Sequence, residues 1–205
     1  MATSFSHGQP PRREAMSEEE FHVLEQAFPD LRYEYIDGIA YLMAGGTRAH
    51  NQITRNIANA IERHLVSGPC FVCTESVQTL VGTKKSGKKH YMYPDVVISC
   101  STRDSRRNNT LIEEPRIVVE VLSPSTEPKD KGDKLKAYKG CPTIEEIVLV
   151  NQFAKEVTVY RRAGDLWSYS LYPAETETVS FASIGYDLRF DDIYRGINFE
   201  EPLED

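Results

Sequence analysis

A mixed α/β (α+β) fold built on one main domain is what this sequence predicts, and three observations predict it. An Asp-Gly pair joins two short apolar runs near the N-terminus, a hairpin signal. Two segments carry apolar residues at helical spacing, and a late series of short apolar segments reads as strands. The order is hairpin, helix, central strands, helix, strands, which interleaves the two element types. The 205 residues suffice for one domain with a sizeable core and are too few for two comfortable ones. Residues 1–16 are polar and rich in Pro and Arg, so they read as a flexible tail ahead of a single domain spanning 17–205.

The elements follow in order. Ser17 and Glu20 make an S-x-x-E capping box ahead of Phe21, Leu24 and Phe28, and Pro29-Asp30 ends that helix. Residues 32–37 and 39–43 are the two hairpin strands. After Gly45-Gly46, Thr47 caps a helix reaching about Val66, with Ile53, Ile57, Ala60, Ile61 and Leu65 on one face. Residues 71–81 hold one or two strands, and 82–89, with its lysines and glycines, reads as a solvated hairpin tip. Strands are expected at 95–100 and 117–122, with a polar loop over 101–115. Asp130 to Lys139 reads as a helix closed by Gly140. Further strands are expected at 144–150, 156–161, 167–171 and 178–181.

Composition excludes some functions. A net charge of −7 argues against a protein that coats nucleic acid through basic excess, but an acidic metal cluster is itself negative. Nothing approaches the roughly 18 apolar residues of a membrane span, and residues 1–13 hold no apolar stretch of signal-peptide type. A cytoplasmic protein with no membrane partner is therefore expected. Cys70 and Cys73 are spaced C-x-x-C, but on a strand such a pair points to opposite faces and no second half-site follows. Buried, reduced thiols are the expectation for the cysteines.

Two carboxylates stand out. Asp95 opens a Val-Val-Ile run although aspartate is a poor strand former. Glu120 sits inside Ile-Val-Val-Glu-Val-Leu, where a charge is costly unless paired, protonated or metal-bound. Alone, Asp95 reads as a turn residue and Glu120 as half of a buried salt bridge to an arginine. Together, entering from adjacent strands, they form a hard-oxygen site suited to Mg²⁺ or Mn²⁺. Such an ion lowers the pKa of a bound water and stabilises charge on a phosphate oxygen, as phosphodiester hydrolysis requires. On the following helix Lys131, Lys134, Leu135 and Tyr138 share a face, which carries Lys134 toward the sheet and leaves Lys136 outside. Without the carboxylates upstream, this would read as a solvated lysine-rich helix.

Tyr33-Glu34-Tyr35-Ile36-Asp37-Gly38, His50, Pro94-Asp95-Val96-Val97, the string Val118 to Thr126 (VVEVLSPST), and Asp130, Lys134 and Tyr138 in order resemble the Uma-two family of endonucleases. That family lies within the PD-(D/E)xK restriction-endonuclease-like superfamily. The resemblance runs from about Ser17 to about Tyr194. It implies a restriction-endonuclease-like core, with a central mixed sheet flanked by helices. It also implies a metal held by Asp95 and Glu120, with Glu34 as a third acidic contributor. The superfamily lysine two residues after the second acid is replaced here by Leu122, and Lys134 is the natural substitute.

Glu34 also reads as a half-exposed strand residue. His50 lies on the inward helix face near the N-terminus, where a neutral imidazole is favoured. It reads either as a core histidine bonded to backbone or as a catalytic one. His64, on the same stripe, reads as structural. Arg106-Arg107 and the lysines of 84–89 read as solvated loops or phosphate contacts. The sequence thus points to Mg²⁺- or Mn²⁺-dependent hydrolysis of DNA with Asp95, Glu120, Lys134, Glu34 and His50 at the site. The rival readings are a nuclease fold without catalysis that binds DNA or protein, and a structural homo-oligomer with a buried ion network. A homodimer would let two sites address two strands.

Overall fold

The computed structural model describes residues 9–82, 87–123 and 127–200. Much of the tail, part of the lysine-rich tip and Pro124 to Thr126 of the recognised string therefore lie outside the described residues.

The order of elements is β1 (Arg13–Ala15), α1 (Glu18–Ala27), β2 (Tyr33–Ile36), β3 (Ile39–Leu42), α2 (Arg48–Leu65), β4 (Phe71–Thr74), β5 (Gln78–Gly82), β6 (Lys89–Met92), β7 (Val96–Ser99), β8 (Leu111–Ile112) and β9 (Pro115–Leu122). Then come α3 (Glu127–Lys129), a π-helical stretch (Asp130–Lys134), α4 (Leu135–Gly140), β10 (Glu146–Asn151), β11 (Glu156–Ala163), β12 (Leu166–Tyr172), β13 (Thr178–Phe181), a 3-10 turn (Ala182–Ile184), β14 (Tyr186–Arg189) and α5 (Phe190–Ile193). The first sheet runs β1-β3-β2-β6-β5-β8 and the second β12-β11-β10-β9-β7-β4, with β13-β14 as a separate pair. Both large sheets are mixed, since β5 is parallel to β8 and β9 is parallel to β10 while their other neighbours are antiparallel.

Local chemistry explains the early elements. Ser17 Oγ accepts from Glu20 N at 3.2 Å and Glu20 Oε2 accepts from Ser17 N at 2.9 Å, a complete capping box. Asp37 and Gly38 have φ of 49° and 84°, the doubly left-handed turn that matches strand twist. Thr47 Oγ1 accepts from His50 N at 3.1 Å and starts α2.

β9 organises the interior. Ile117, Val119 and Val121 pack with Ile53, Ile57 and Ile61 of α2 and with Val179, Phe181 and Leu188 of β13-β14. Val118 and Leu122 face the other way, into a cluster with Leu135 and Tyr138 of α4 and with Ile36, Val81 and Met92 of the first sheet. The period of two places Glu120 on this second face, between the sheets.

The structure departs from the sequence reading in several places, among them the unread elements β6, β14 and α5. Arg13–Ala15 is an edge strand on β3, in a stretch read as tail. All three of its side chains are exposed, so backbone pairing and the Arg13 guanidinium over the Tyr41 ring at 5.4 Å hold it, and no apolar pattern marks it. The loop 101–115 contains β8 and is pinned by buried Asp104, whose carboxylate accepts from Ser99 Oγ, Glu113 N and Glu114 N at 2.8–3.0 Å. The third helical region begins at Glu127, and its π turn rotates Lys131 off the buried face, where it pairs with Glu127 at 2.6 Å in solvent. Cys70 and Cys100 are joined in a disulfide rather than held as thiols, while Cys73 and Cys141 are free. Extending the β4–β7 register one step past Phe71↔Ser99 sets those two cysteines opposite one another. No helix of the described residues is long and apolar enough to cross a membrane.

A buried glutamate–arginine bridge does exist, but at Glu146. Its carboxylate accepts from Arg161 Nε, Ala182 N, Ser183 N and Ser183 Oγ at 2.7–3.0 Å and holds the 3-10 turn against β10.

Candidate active site

Glu34, Asp95, Glu120 and Lys134, four of the residues singled out in the sequence, converge on one cavity of about 250 Å³, and His50 joins them. The means of convergence differ for each. Extending the antiparallel β7–β9 register one step past Val96↔Val119 places Asp95 opposite Glu120. Glu34 enters from β2 in the facing sheet, and Lys134 from the end of the π turn. His50 comes from the first turn of α2.

Lys134 is the hub. Its Nζ lies 2.6 Å from Glu120 Oε1, 3.0 Å from Glu34 Oε1 and 3.4 Å from Asp130 Oδ1, and its side chain is 5% exposed. Burial opposes a buried ammonium, but the surrounding carboxylates win and hold its pKa well above the ordinary lysine range. Tyr138, one helical turn on, donates its hydroxyl to Glu120 Oε1 at 2.5 Å. Glu34 also takes Lys129 Nζ in a short contact, and Lys129 lies 4.4 Å over the Tyr41 ring. Asp95 Oδ2 accepts from Val121 N at 2.6 Å and pairs with His50 Nε2 at 3.1 Å.

His50 therefore bonds to a site carboxylate and not to backbone. Burial alone would lower its pKa, but the Asp95 hydrogen bond and charge outweigh burial and raise it. The helix terminus favours a neutral ring, and the Asp95 carboxylate at contact distance acts in the opposite direction. Glu34 is buried, not half-exposed. Burial raises its pKa, but two lysines overcome that and bring it down to about 2. Glu120 goes the other way. Burial, Asp130, Asp95 and Glu34 together outweigh Lys134 and push its pKa well up. The two acids shift in opposite directions because Glu34 has two cations beside it and Glu120 shares one.

The lining holds five carboxylates (Glu34, Glu75, Asp95, Glu120, Asp130) against three fixed cations (Arg12, Lys129, Lys134). That negative excess suits a cation. Among the described residues, no three His, Cys, Asp or Glu side chains form a ready-made metal cluster. What the pair offers instead is one oxygen each. Hydrogen bonds and ion pairs engage Asp95 at Oδ2 and Glu120 at Oε1, and among the described residues Oδ1 of Asp95 and Oε2 of Glu120 have no partner. Two carboxylate oxygens with water completing the shell is a donor set that Mg²⁺ accepts.

Several residues escaped the sequence reading. Lys129 is adjacent to a proline and gives no signal. Asp130 stands in the motif with Lys134 but is given no site role there, although its place four residues before Lys134 suggests the pair. Buried Gln152 accepts from Thr47 Oγ1 at 2.7 Å and donates to Leu122 O at 2.9 Å, linking the start of α2 to the end of β9. Other suggested residues lie elsewhere. His64 bonds Ile184 O at 2.9 Å, Arg106 and Arg107 are exposed and outside the cavity, and Lys88 and Lys89 pair with Asp37 and Glu18.

This layered mixed-sheet architecture is shared with a solved structure. A crystal structure described as a putative nuclease belonging to DUF820, from Anabaena variabilis, superimposes with a TM-score of 0.66 at 18% identity, covering 82% of this chain and 96% of that one. The chain belongs to the Uma2 family, described as "Putative restriction endonuclease", which matches residues 18–191. Two uncharacterized Synechocystis sp. proteins are also similar. One, slr1290, is 34% identical over 170 residues, 82% of this chain and 86% of its own length. The other, sll1609, is 25% identical over 151 residues, 73% and 83% of the two chains.

Two outcomes test the electrostatics. Lys134→Met should destabilise the metal-free protein by about 3–5 kcal/mol in urea unfolding, because it strands buried carboxylates. Glu120→Gln should behave differently with pH. A carboxyl whose folded pKa is raised contributes stability below its ordinary value near 4.5 and loses that contribution as pH rises through the folded value. The metal-free wild type should therefore lose stability relative to Glu120→Gln from pH 4.5 toward neutrality. A pH-independent offset between the two would contradict the raised value.

Proposed function

We propose that this chain is a metal-dependent endonuclease that hydrolyses DNA phosphodiester bonds, with Asp95 and Glu120 holding Mg²⁺ or Mn²⁺. The observation that carries the reading is the pair of carboxylates Asp95 and Glu120 on opposed strand positions in a cavity with negative excess, with Asp95 Oδ1 and Glu120 Oε2 outside the hydrogen bonds and ion pairs among the described residues. When bound there, the ion supplies a water of lowered pKa and positive charge at the phosphate.

The chain's own residues do the rest. Lys134, held charged by its carboxylate neighbours, is a cation and not a base, and it offsets charge gathering on the phosphoryl oxygens. Glu34 and Asp130 fix the ammonium from its other sides. His50 and the Val121 amide fix one oxygen of Asp95 and leave the second for the ion. Lys129 and Arg12, both on the wall, supply positive charge for the backbone of the substrate.

A second reading has one observation in its favour. The 2.6 Å Lys134–Glu120 contact is also what a buried structural ion network would show. Metal titration separates the two. Mn²⁺ should raise the melting temperature of the wild type, by mass action on the folded state, and the double change Asp95→Asn with Glu120→Gln should abolish the rise. With Mg²⁺ present, the wild type should nick duplex DNA and each single variant should not. An equal melting rise in the double variant would eliminate the metal site, and a metal effect without cleavage would leave a binding protein on a nuclease fold.

A further inference from the structure

The two large sheets have four edges, and three are blunt. Among the described residues, β1 has three residues, β8 two and β4 four, with the disulfide beside it. Short edges are one way proteins prevent strand addition. The fourth edge, β12, differs. It runs seven residues, Leu-Trp-Ser-Tyr-Ser-Leu-Tyr, with no charge, proline or glycine. It pairs with β11 through all seven positions, without a bulge, and has no neighbour on its other side among the described residues. Of the five large hydrophobic side chains exposed among the described residues, three lie on this strand: Leu166, Tyr169 and Leu171, at 74%, 70% and 53%.

We propose that the free edge of β12 pairs antiparallel with β12 of a second copy of this chain, forming a two-fold dimer with one continuous sheet. The strand's own sequence selects that occupant. About a two-fold axis at Tyr169, Trp167 faces Leu171, Ser168 faces Ser170, Leu166 faces Tyr172, and Tyr169 faces its counterpart. Each position meets a residue of like chemistry and no charge meets a like charge, the self-complementarity that an isologous contact needs. The register with β11 puts Trp167, Tyr169 and Leu171 on one face, where the Tyr160 and Tyr169 rings lie 5.9 Å apart and Arg162 covers the Trp167 ring at 4.5 Å. Pairing would extend this row across the axis. β10 and β11 stand between β12 and β9, so the acidic cavity stays open in the dimer. The proposal does not rest on the nuclease reading.

Sedimentation equilibrium of the full chain should return twice the chain mass of 23.3 kDa. Tyr169→Lys sets two ammonium groups opposite each other on the axis and should return a single chain mass with an unchanged circular dichroism spectrum. Val66→Lys, at an exposed apolar site outside the strand, should remain dimeric. Amides of 166–172 that are protected from hydrogen exchange in the wild type should lose protection in Tyr169→Lys. Should that variant fail to fold, Leu171→Lys carries the same test. A wild type that is monomeric, whether its β12 amides exchange freely or are covered by its own chain, overturns the proposal. So does a dimer that survives both lysine variants.

Discussion

One buried ammonium ties the molecule together. Lys134 Nζ takes Glu34 from the first sheet, Glu120 from the second, and Asp130 from its own π turn. Each partner is a charge the interior would otherwise reject, and each is tolerated because the same cation serves all three. The apolar clusters bring the sheets together, but this contact fixes which strand faces which. The cooperation has a cost, since three acids around one lysine leave an excess of negative charge. The raised pKa of Glu120 is the sign of that excess.

That frustration links stability to function. A site stable in isolation would pair every carboxylate oxygen. Here Asp95 is anchored through Oδ2 and Glu120 through Oε1, and the remaining oxygen of each has no partner among the described residues. The supports lie on regular elements. His50 sits in the first turn of α2, Val121 donates from β9, and Gln152 bridges Thr47 to Leu122. Rigid supports with unspent oxygens are the arrangement expected where a cation completes the electrostatics.

Much of this was legible in the sequence because local rules dominate at those positions. The capping box at Ser17 and Glu20, the Asp37-Gly38 turn and the Thr47 cap depend on neighbours within four residues. Glu120 was visible because a carboxylate in so apolar a strand demands a reason, and Lys134 because Leu135 and Tyr138 set the helix phase. What escaped depends on distant or irregular backbone. The π turn moved Lys131 out of the phase that a regular helix assigns. His50 met a carboxylate 45 positions along the chain, a partner that the local dipole argument did not contain. The Cys70–Cys100 bridge needed the β4–β7 register, which no spacing rule supplies. β1 carries no apolar pattern, and β6, Lys-His-Tyr-Met, alternates poorly. The division of strands into two facing sheets followed from pairings invisible in a single sequence, and that division brings Glu34 to Glu120.

The central claim is that Asp95 and Glu120 jointly hold a divalent cation, and anomalous scattering tests it most directly. Crystals soaked in Mn²⁺ and measured above and below the manganese absorption edge should show one peak within bonding distance of Asp95 Oδ1 and Glu120 Oε2, with Lys134 still beside Glu34. The absence of a peak there, with Lys134 and Tyr138 unchanged on Glu120, would show instead that the cluster is a closed ion network that has no place for a metal.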